Sequence, residues 1–368
     1  MLNIKKQISR LYLSTVLDNL SLTGAWVAIL AARGFHLVEI GFAETVFHIT
    51  SLIFEIPSGV LADVFGRKNM LILGRIMSMI ADIIIIFSCN LFMVCLSMVF
   101  RAASYNFASG SGDALAYDSL KTVNHEQYYE KYASNQLIIY RLCSGISTLS
   151  AGFALLIGYR LAYSTGVLMG IVQIWMLTSL REVSISPPDN DHKKRTAASL
   201  KRELQTCFTK SFSFLKNAKK AVFLMFCNSL IGAADILLLF FLQAKLPEAG
   251  LPGAALGFAL FFMQIGGILG AKMILKCRKM RYRSVFLAAS LLVLCGVLAE
   301  HSGLYVIMTA GGFIAAASDG ALQVRTNAIL QEMFPSSQRA TLISIESFTF
   351  SMIMIVLSPL AGILFSRW

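Results

Sequence analysis

Ionisable side chains stand inside several apolar runs of this chain: Asp18, Glu44, His48, Glu55, Asp82, Arg101, Asp113, Arg141, Asp235, Asp319 and Glu346. A charge at the centre of a bilayer costs on the order of 3 kcal/mol on insertion scales, so such a residue faces a cavity, a partner or a proton path. The chemistry on offer is ion pairing and proton loading. Bond-making chemistry has no visible constellation, because the chain contains no H-E-x-x-H, G-x-S-x-G or P-loop lysine motif. Gly110-Ser111-Gly112-Asp113 is glycine-rich but lies in an apolar run and lacks the lysine that would cradle phosphate. The cysteines are scattered without a C-x-x-C pair, which argues against a disulfide framework or a zinc site. The reading is a protein that is not an enzyme and needs no cofactor or metal.

Two polar groupings stand out. Asp18 opens the pair Asp18-Asn19, and Asp235 lies seven residues after Asn228, on the same side of a helix. Glu44, His48, Ser51 and Glu55 fall at i, i+4, i+7 and i+11, within a narrow wedge of one helix face. Histidine titrates near neutrality, so this stripe can relay protons. The simpler reading is that the stripe packs against another helix with His48 hydrogen-bonded.

The elements that must position these residues are membrane spans. The chain has 368 residues, is 56% hydrophobic and only 14% charged, with a mean hydropathy of +0.68. Soluble domains carry about 25% charged residues. Apolar runs of full span length recur, each able to cross roughly 30 Å of hydrocarbon as a helix. Apolar length and punctuation by Gly, Pro and charge place eleven spans at about 11–32, 37–61, 70–88, 91–116, 134–157, 160–180, 221–244, 254–275, 284–300, 303–324 and 340–364. The fold class expected is an all-α polytopic membrane protein. Residues 1–182 form a six-helix bundle, 183–220 a linker and 221–368 a five-helix bundle. The linker carries a basic amphipathic stretch, suited to lie on a lipid surface or to be solvated.

The net charge of +12 does not mark a nucleic-acid partner, because the cations fall in alternate loops. Lys5, Lys6 and Arg10, then Arg67 and Lys68, Lys121 and Lys131, Arg181 to Lys220 and Lys276 to Arg283 all lie on one side of the expected topology. By the positive-inside rule that side, with the N-terminus, is cytoplasmic. The expected location is the cell membrane, with lipids as neighbours and a monomer as the unit.

The loop between the second and third spans reads Gly59-Val60-Leu61-Ala62-Asp63-Val64-Phe65-Gly66-Arg67-Lys68. A carboxylate, two cations and glycines on a tight turn make a place where helices are pinned and released. Gly59, Asp63, Gly66, Arg67 and Lys68 are the candidates for such a latch, with Asp63, Asp113 and Asp118 all open as partners for Arg67. Gly59 permits close helix approach, and Asp63 suits the N-terminal end of the last span, with Ser336 or Ser337 as its cap.

This string resembles the signature loop of the major facilitator superfamily of secondary transporters, G-x-L-a-D-x-x-G-R-K, and fills each of its fixed positions. Glu55-Ile56-Pro57-Ser58 and Pro335-Ser336-Ser337-Gln338-Arg339-Ala340-Thr341 look like a branch rich in efflux permeases. The resemblance implies two pseudo-symmetric bundles with spans one, four, seven and ten around a central cavity. It departs at the end, where the family's peripheral twelfth span is missing. Short matches between the halves, Gly41-Phe42-Ala43 with Gly257-Phe258-Ala259, fit a repeat.

On that resemblance Asp18, Arg101, Asp235, Asn228 and Asp319 are cavity and proton-coupling candidates, with Glu44, His48 and Glu55 on the flanking second span. Arg101 matches the arginine of proton-coupled drug antiporters, although Ser104 and Tyr105 depart from the rest of that motif. The implied function is proton-coupled export of an amphipathic small molecule by alternating access, with small molecule and protons as partners. Span five carries Gly145 and Gly152 but lacks the proline of the antiporters. That leaves proton symport or uniport as the alternative, and a lipid-handling or receptor-like protein on the same fold as the rival from another class.

Overall fold

A backbone in hydrocarbon must satisfy its own N–H and C=O groups, and a helix does this within one segment. The computed structural model describes residues 3–183, 218–277, 280–333 and 339–367, and contains helices and no strand among them. The basic stretch of the linker and the Ser336 and Ser337 caps lie outside the described residues.

The helices are α1 (Ile4–Asn19), α2 (Trp26–Ala32), α3 (Leu37–Phe65), α4 (Arg67–Phe87), α5 (Leu91–Ala108), α6 (Ser111–Lys121), α7 (Tyr129–Leu149), α8 (Ala151–Ile157) and α9 (Tyr159–Thr178). After the linker come α10 (Lys219–Glu248), α11 (Gly253–Lys276), α12 (Tyr282–Glu300), α13 (Tyr305–Met333) and α14 (Arg339–Arg367). Among the described residues nine spans are long and apolar enough to cross a membrane, and the bent pair α7–α8 makes a tenth. Large apolar side chains point outward, with Leu156 82% and Trp175 77% exposed, as lipid contact allows and water does not favour.

Three of the expected spans are broken. The run expected at 11–32 is split between α1 and α2. The freed backbone at the split is met by Ser147, whose Oγ donates to Asn19 O at 2.7 Å and accepts from Ser21 N at 2.9 Å. The run at 91–116 is divided between α5 and α6 by Gly110, whose φ of 70° is open to glycine at little cost. The run at 134–157 bends by 48° between α7 and α8. Apolar length alone reads straight through such breaks, because the interrupting residues are themselves compatible with a helix.

Contacts divide the described chain into two compact units. Unit 1 comprises the described residues of Met1–Thr23, Thr50–Ser147 and Tyr159–Lys210; unit 2 comprises those of Gly24–Ile49, Thr148–Gly158 and Ser211–Trp368. The units are thus not continuous stretches of sequence, and α3 contributes to both. In unit 1, α4 packs between α5 and α9, and Leu11, Leu115, Ala116, Tyr132, Leu177 and Leu180 form a buried cluster.

In unit 2, α13 packs against α11 and α12. A Cβ on Gly270 would overlap the Ala317 carbonyl, and one on Gly320 would overlap the Gly267 carbonyl. Small residues let these backbones touch, which is how helices associate where no hydrophobic force separates protein from lipid. The matched Gly41 and Gly257 do matched work: a side chain on either would strike a carbonyl, of Ser358 and Leu149 respectively.

Candidate functional site

The apolar face of α4 is interrupted one turn apart by Gly74-Arg75 and then by Ser78 and Asp82. Arg75 Nη1 donates to Asp18 Oδ1 at 3.1 Å, and its Nη2 donates to Gly166 O at 2.8 Å. Arg101 Nη2 donates to Asp82 Oδ1 at 2.5 Å. α9 makes room for both pairs: a Cβ on Gly166 would lie 2.6 Å from Asp82 Oδ2, and one on Gly170 would lie 3.0 Å from Arg75 Nε. Arg75 and Asp82 are buried, whereas half of the Asp18 side chain is exposed. Arginine suits this role because its guanidinium stays charged and offers several fixed donors.

Two polar cavities of about 190 and 180 Å³ meet at the Asp18–Arg75 pair, which lines both. The first takes Asn19, Asp113, Gln136 and Gln173 into its wall; the second takes Asp82, Arg101 and Tyr105. Gln173 Nε2 donates to Ser14 Oγ at 3.0 Å. Asp18 and Arg101, two of the expected residues, therefore share a cavity, and the breaks in the first and fourth spans lie beside these cavities. Broken helices at membrane depth occur where backbone lines a cavity or is covered by protein.

At the start of α4, Gly66 has a φ of 86°. Arg67 donates through Nη1 to Asp118 Oδ2 and to Ala114 O, the latter at 2.8 Å. Glu182 accepts from the backbone N–H groups of Arg67 at 3.0 Å and Lys68 at 2.8 Å, and Lys68 Nζ donates to Thr178 O at 2.7 Å. The carboxylate thereby meets two free N–H groups at the positive end of the helix. Of the partners open to Arg67, Asp118 is met and Asp113 is not, among the described residues. The side chains of Gly59 and Asp63 lie outside the described residues.

In unit 2, Asn228, Gly232 and Asp235 follow one face of α10. Asn228 Nδ2 donates to Glu346 Oε1 of α14 at 3.0 Å. Asp319 of α13 stands at Gly232, where a Cβ would lie 3.3 Å from its Oδ1. Asp319 and Asp235 are within Coulomb reach of each other. Among the described residues neither meets a Lys, Arg or His.

The stripe on α3 is divided. His48 Nε2 lies 3.3 Å from Glu44 Oε1, and His48 Nδ1 lies 3.3 Å from Ser351 Oγ of α14, with Phe47 and Phe350 edge-on to the ring. Ser51 belongs to unit 1, where its Oγ accepts from Asn106 Nδ2 at 2.9 Å, and Glu55 lies near Tyr105 there.

Sequence reasoning missed Arg75 and Glu182. The signal for Arg75 was present, since Leu71-Ile72-Leu73-Gly74-Arg75-Ile76-Met77 puts one cation into an apolar run. Glu182 gave no signal, because its value comes from a chain reversal that returns it to α4. Arg141 joins neither cavity and is exposed beside the Tyr140 ring, 6.0 Å from its centroid.

Charged pairs held inside bundles of apolar helices are the build of a membrane transport protein. The chain belongs to the Major Facilitator Superfamily, whose family model matches residues 11–299. It is 21% identical over 329 residues to the uncharacterized MFS-type transporter YxaM of Bacillus subtilis (strain 168), covering 88% of this chain and 79% of that one. The structure is similar to the nucleoside transporter NupG, with a TM-score of 0.71 at 14% identity over 100% of this chain and 92% of the other. It is also similar to the peptide transporter POT, with a TM-score of 0.72 at 12% identity over 98% and 90%. A D-xylose-proton symporter matches with a TM-score of 0.65 at 11% identity over 96% and 87%. At such identities the likeness carries the fold and not the solute.

Proposed function

We propose that this transporter couples the movement of a small amphipathic solute to protons, with Asp235 and Asp319 as the coupling pair. The observation that carries the reading is that Asp319 of α13 stands at Gly232 of α10, one turn from Asp235, with no cationic partner for either carboxylate among the described residues. Two adjacent carboxylates in a low-dielectric span cannot both stay ionised without a cation, so the pair holds a proton or gives it up as its surroundings change. Asp18 differs, because Arg75 already neutralises it. Its role in this reading is to position Arg75 between the two cavities. Alternating access would carry the pair from one side to the other, and the Arg67–Asp118 and Glu182 contacts would hold one of the states.

Export is the direction we favour, on the resemblance of the Glu55–Ser58 and Pro335–Thr341 segments to efflux permeases. Symport or uniport is the second reading, supported by the absence of proline from α7 and α8. The proposed setting is the cell membrane with the N-terminus in the cytoplasm, on the distribution of cations. Proteoliposomes with an imposed pH gradient test the proposal. The wild type should move solute in response, and Asp235→Asn or Asp319→Asn should lose the response while retaining exchange. A gradient response that survives both substitutions excludes the pair, and no response in the wild type ends proton coupling. The sign of the gradient that drives uptake separates antiport from symport.

A further inference from the structure

One end of unit 2 carries cations that meet no acceptor within the chain. There α10 and α12 begin and α11 and α13 finish, gathered by a buried cluster that includes Leu224, Met225 and Leu330, with Tyr282 packed against it. Lys219 and Lys220 open α10, Lys272 and Lys276 lie one turn apart near the end of α11, and Arg281 and Arg283 flank the start of α12. All six are exposed, and none forms an ion pair or a side-chain hydrogen bond among the described residues. The neighbouring segments carry no Asp or Glu except Glu332, whose side chain lies outside the described residues. The turn that presents the two arginines is fixed from below. Tyr282 Oη donates to Leu224 O of α10 at 3.5 Å and lies 3.3 Å from Thr326 Oγ1 of α13. Arg325 Nη2 donates to Met280 O at 3.2 Å, and its buried Nε has no partner, which adds positive charge behind the turn. Along α12, Leu287, Leu291, Leu294 and Leu298 follow Arg283 at helical spacing and are all exposed. From Leu287 to Leu298 this row runs about 17 Å, close to the roughly 15 Å of hydrocarbon in one leaflet.

We propose that this end of unit 2 is a binding surface for an anionic phospholipid, with the headgroup phosphate at Arg281, Arg283 and Lys276 and an acyl chain along the leucine row of α12. Cations at a membrane face attract anionic headgroups in general. What is particular here is a pair of immobilised arginines at the head of an apolar row one leaflet long. A guanidinium offers phosphate oxygens a two-point hydrogen bond. A free phosphate ion engages the cations alone. A zwitterionic lipid engages the row but brings its own cation to a surface already positive. An anionic phospholipid engages both. The inference depends neither on the solute nor on the coupling ion.

Native mass spectrometry of the full-length protein in detergent tests this, with phosphatidylglycerol and phosphatidylcholine of the same acyl chains as probes. The wild type should hold phosphatidylglycerol at least about 10-fold more tightly. A cation near an anionic headgroup contributes about 5-fold, so Arg281→Gln with Arg283→Gln should weaken phosphatidylglycerol by about 25-fold and leave phosphatidylcholine unaffected. The charge-conserving Arg281→Lys with Arg283→Lys should keep most of the preference. Lys121→Gln, at the exposed end of α6 in unit 1, should change neither lipid. Inorganic phosphate at millimolar concentration should not displace the lipid. Equal retention of the two lipids by the wild type overturns the proposal, and this arm needs no variant. So does an unaltered preference in the double Gln variant with an intact melting transition. A loss as large in Lys121→Gln reduces the effect to general attraction, and displacement by inorganic phosphate makes the site one for a soluble anion; either result also overturns it.

Discussion

Arg101→Met should be much more damaging than Asp82→Asn, although both break the same ion pair. The Asp82 side chain is 6% exposed and that of Arg101 is 35% exposed. Removing the arginine strands a buried carboxylate, and breaking a buried pair in this way costs about 3–5 kcal/mol. Removing the carboxylate strands a guanidinium that is only partly buried and lines the second cavity, and should cost less.

The double variant Asp82→Asn with Arg101→Met leaves no charge behind and should recover most of the stability lost in Arg101→Met. Thermal unfolding in detergent measures all of this, and the double-mutant cycle isolates the pair. Equal losses in the two single variants, or a double variant no better than Arg101→Met, would refute the reasoning.

Other expectations follow from the same structure. Glu182→Gln should weaken the two bonds at the start of α4 by about 1–2 kcal/mol in all, and Asp118→Asn should free Arg67; both should alter accessibility at that end of the bundle, read by cysteine labelling, more than they alter solute affinity. Gly270→Leu should strike the Ala317 backbone and cost at least the 1–3 kcal/mol of ordinary overpacking, seen as a lower unfolding temperature. Cys89 is exposed after α4 and Cys277 is exposed after α11. An impermeant thiol reagent on intact cells should label Cys89 and spare Cys277, and the reverse pattern would invert the proposed orientation.

The amino-acid sequence alone determined the membrane class and most span positions, because a run of apolar residues long enough to cross hydrocarbon has few other uses. It also marked the turn at Gly66-Arg67-Lys68, whose glycine and cations break an otherwise apolar stretch. Tertiary structure decided the partners. Arg67 had several carboxylates within reach of its sequence position, and only packing brings Asp118 to it. Asp18 and Asp235 look alike as lone acids in apolar runs, yet α4 supplies Arg75 to the first, and α13 supplies a second carboxylate to the second. Arg75 and Glu182 acquire meaning only when helices distant in sequence are laid side by side. The break in the first span was likewise invisible, because the chain yields there where a neighbour, Ser147, receives the freed backbone groups. Hydropathy is a property of each residue and can be summed along the chain. Charge compensation is a property of pairs in space, and those pairs exist only once the helices have packed.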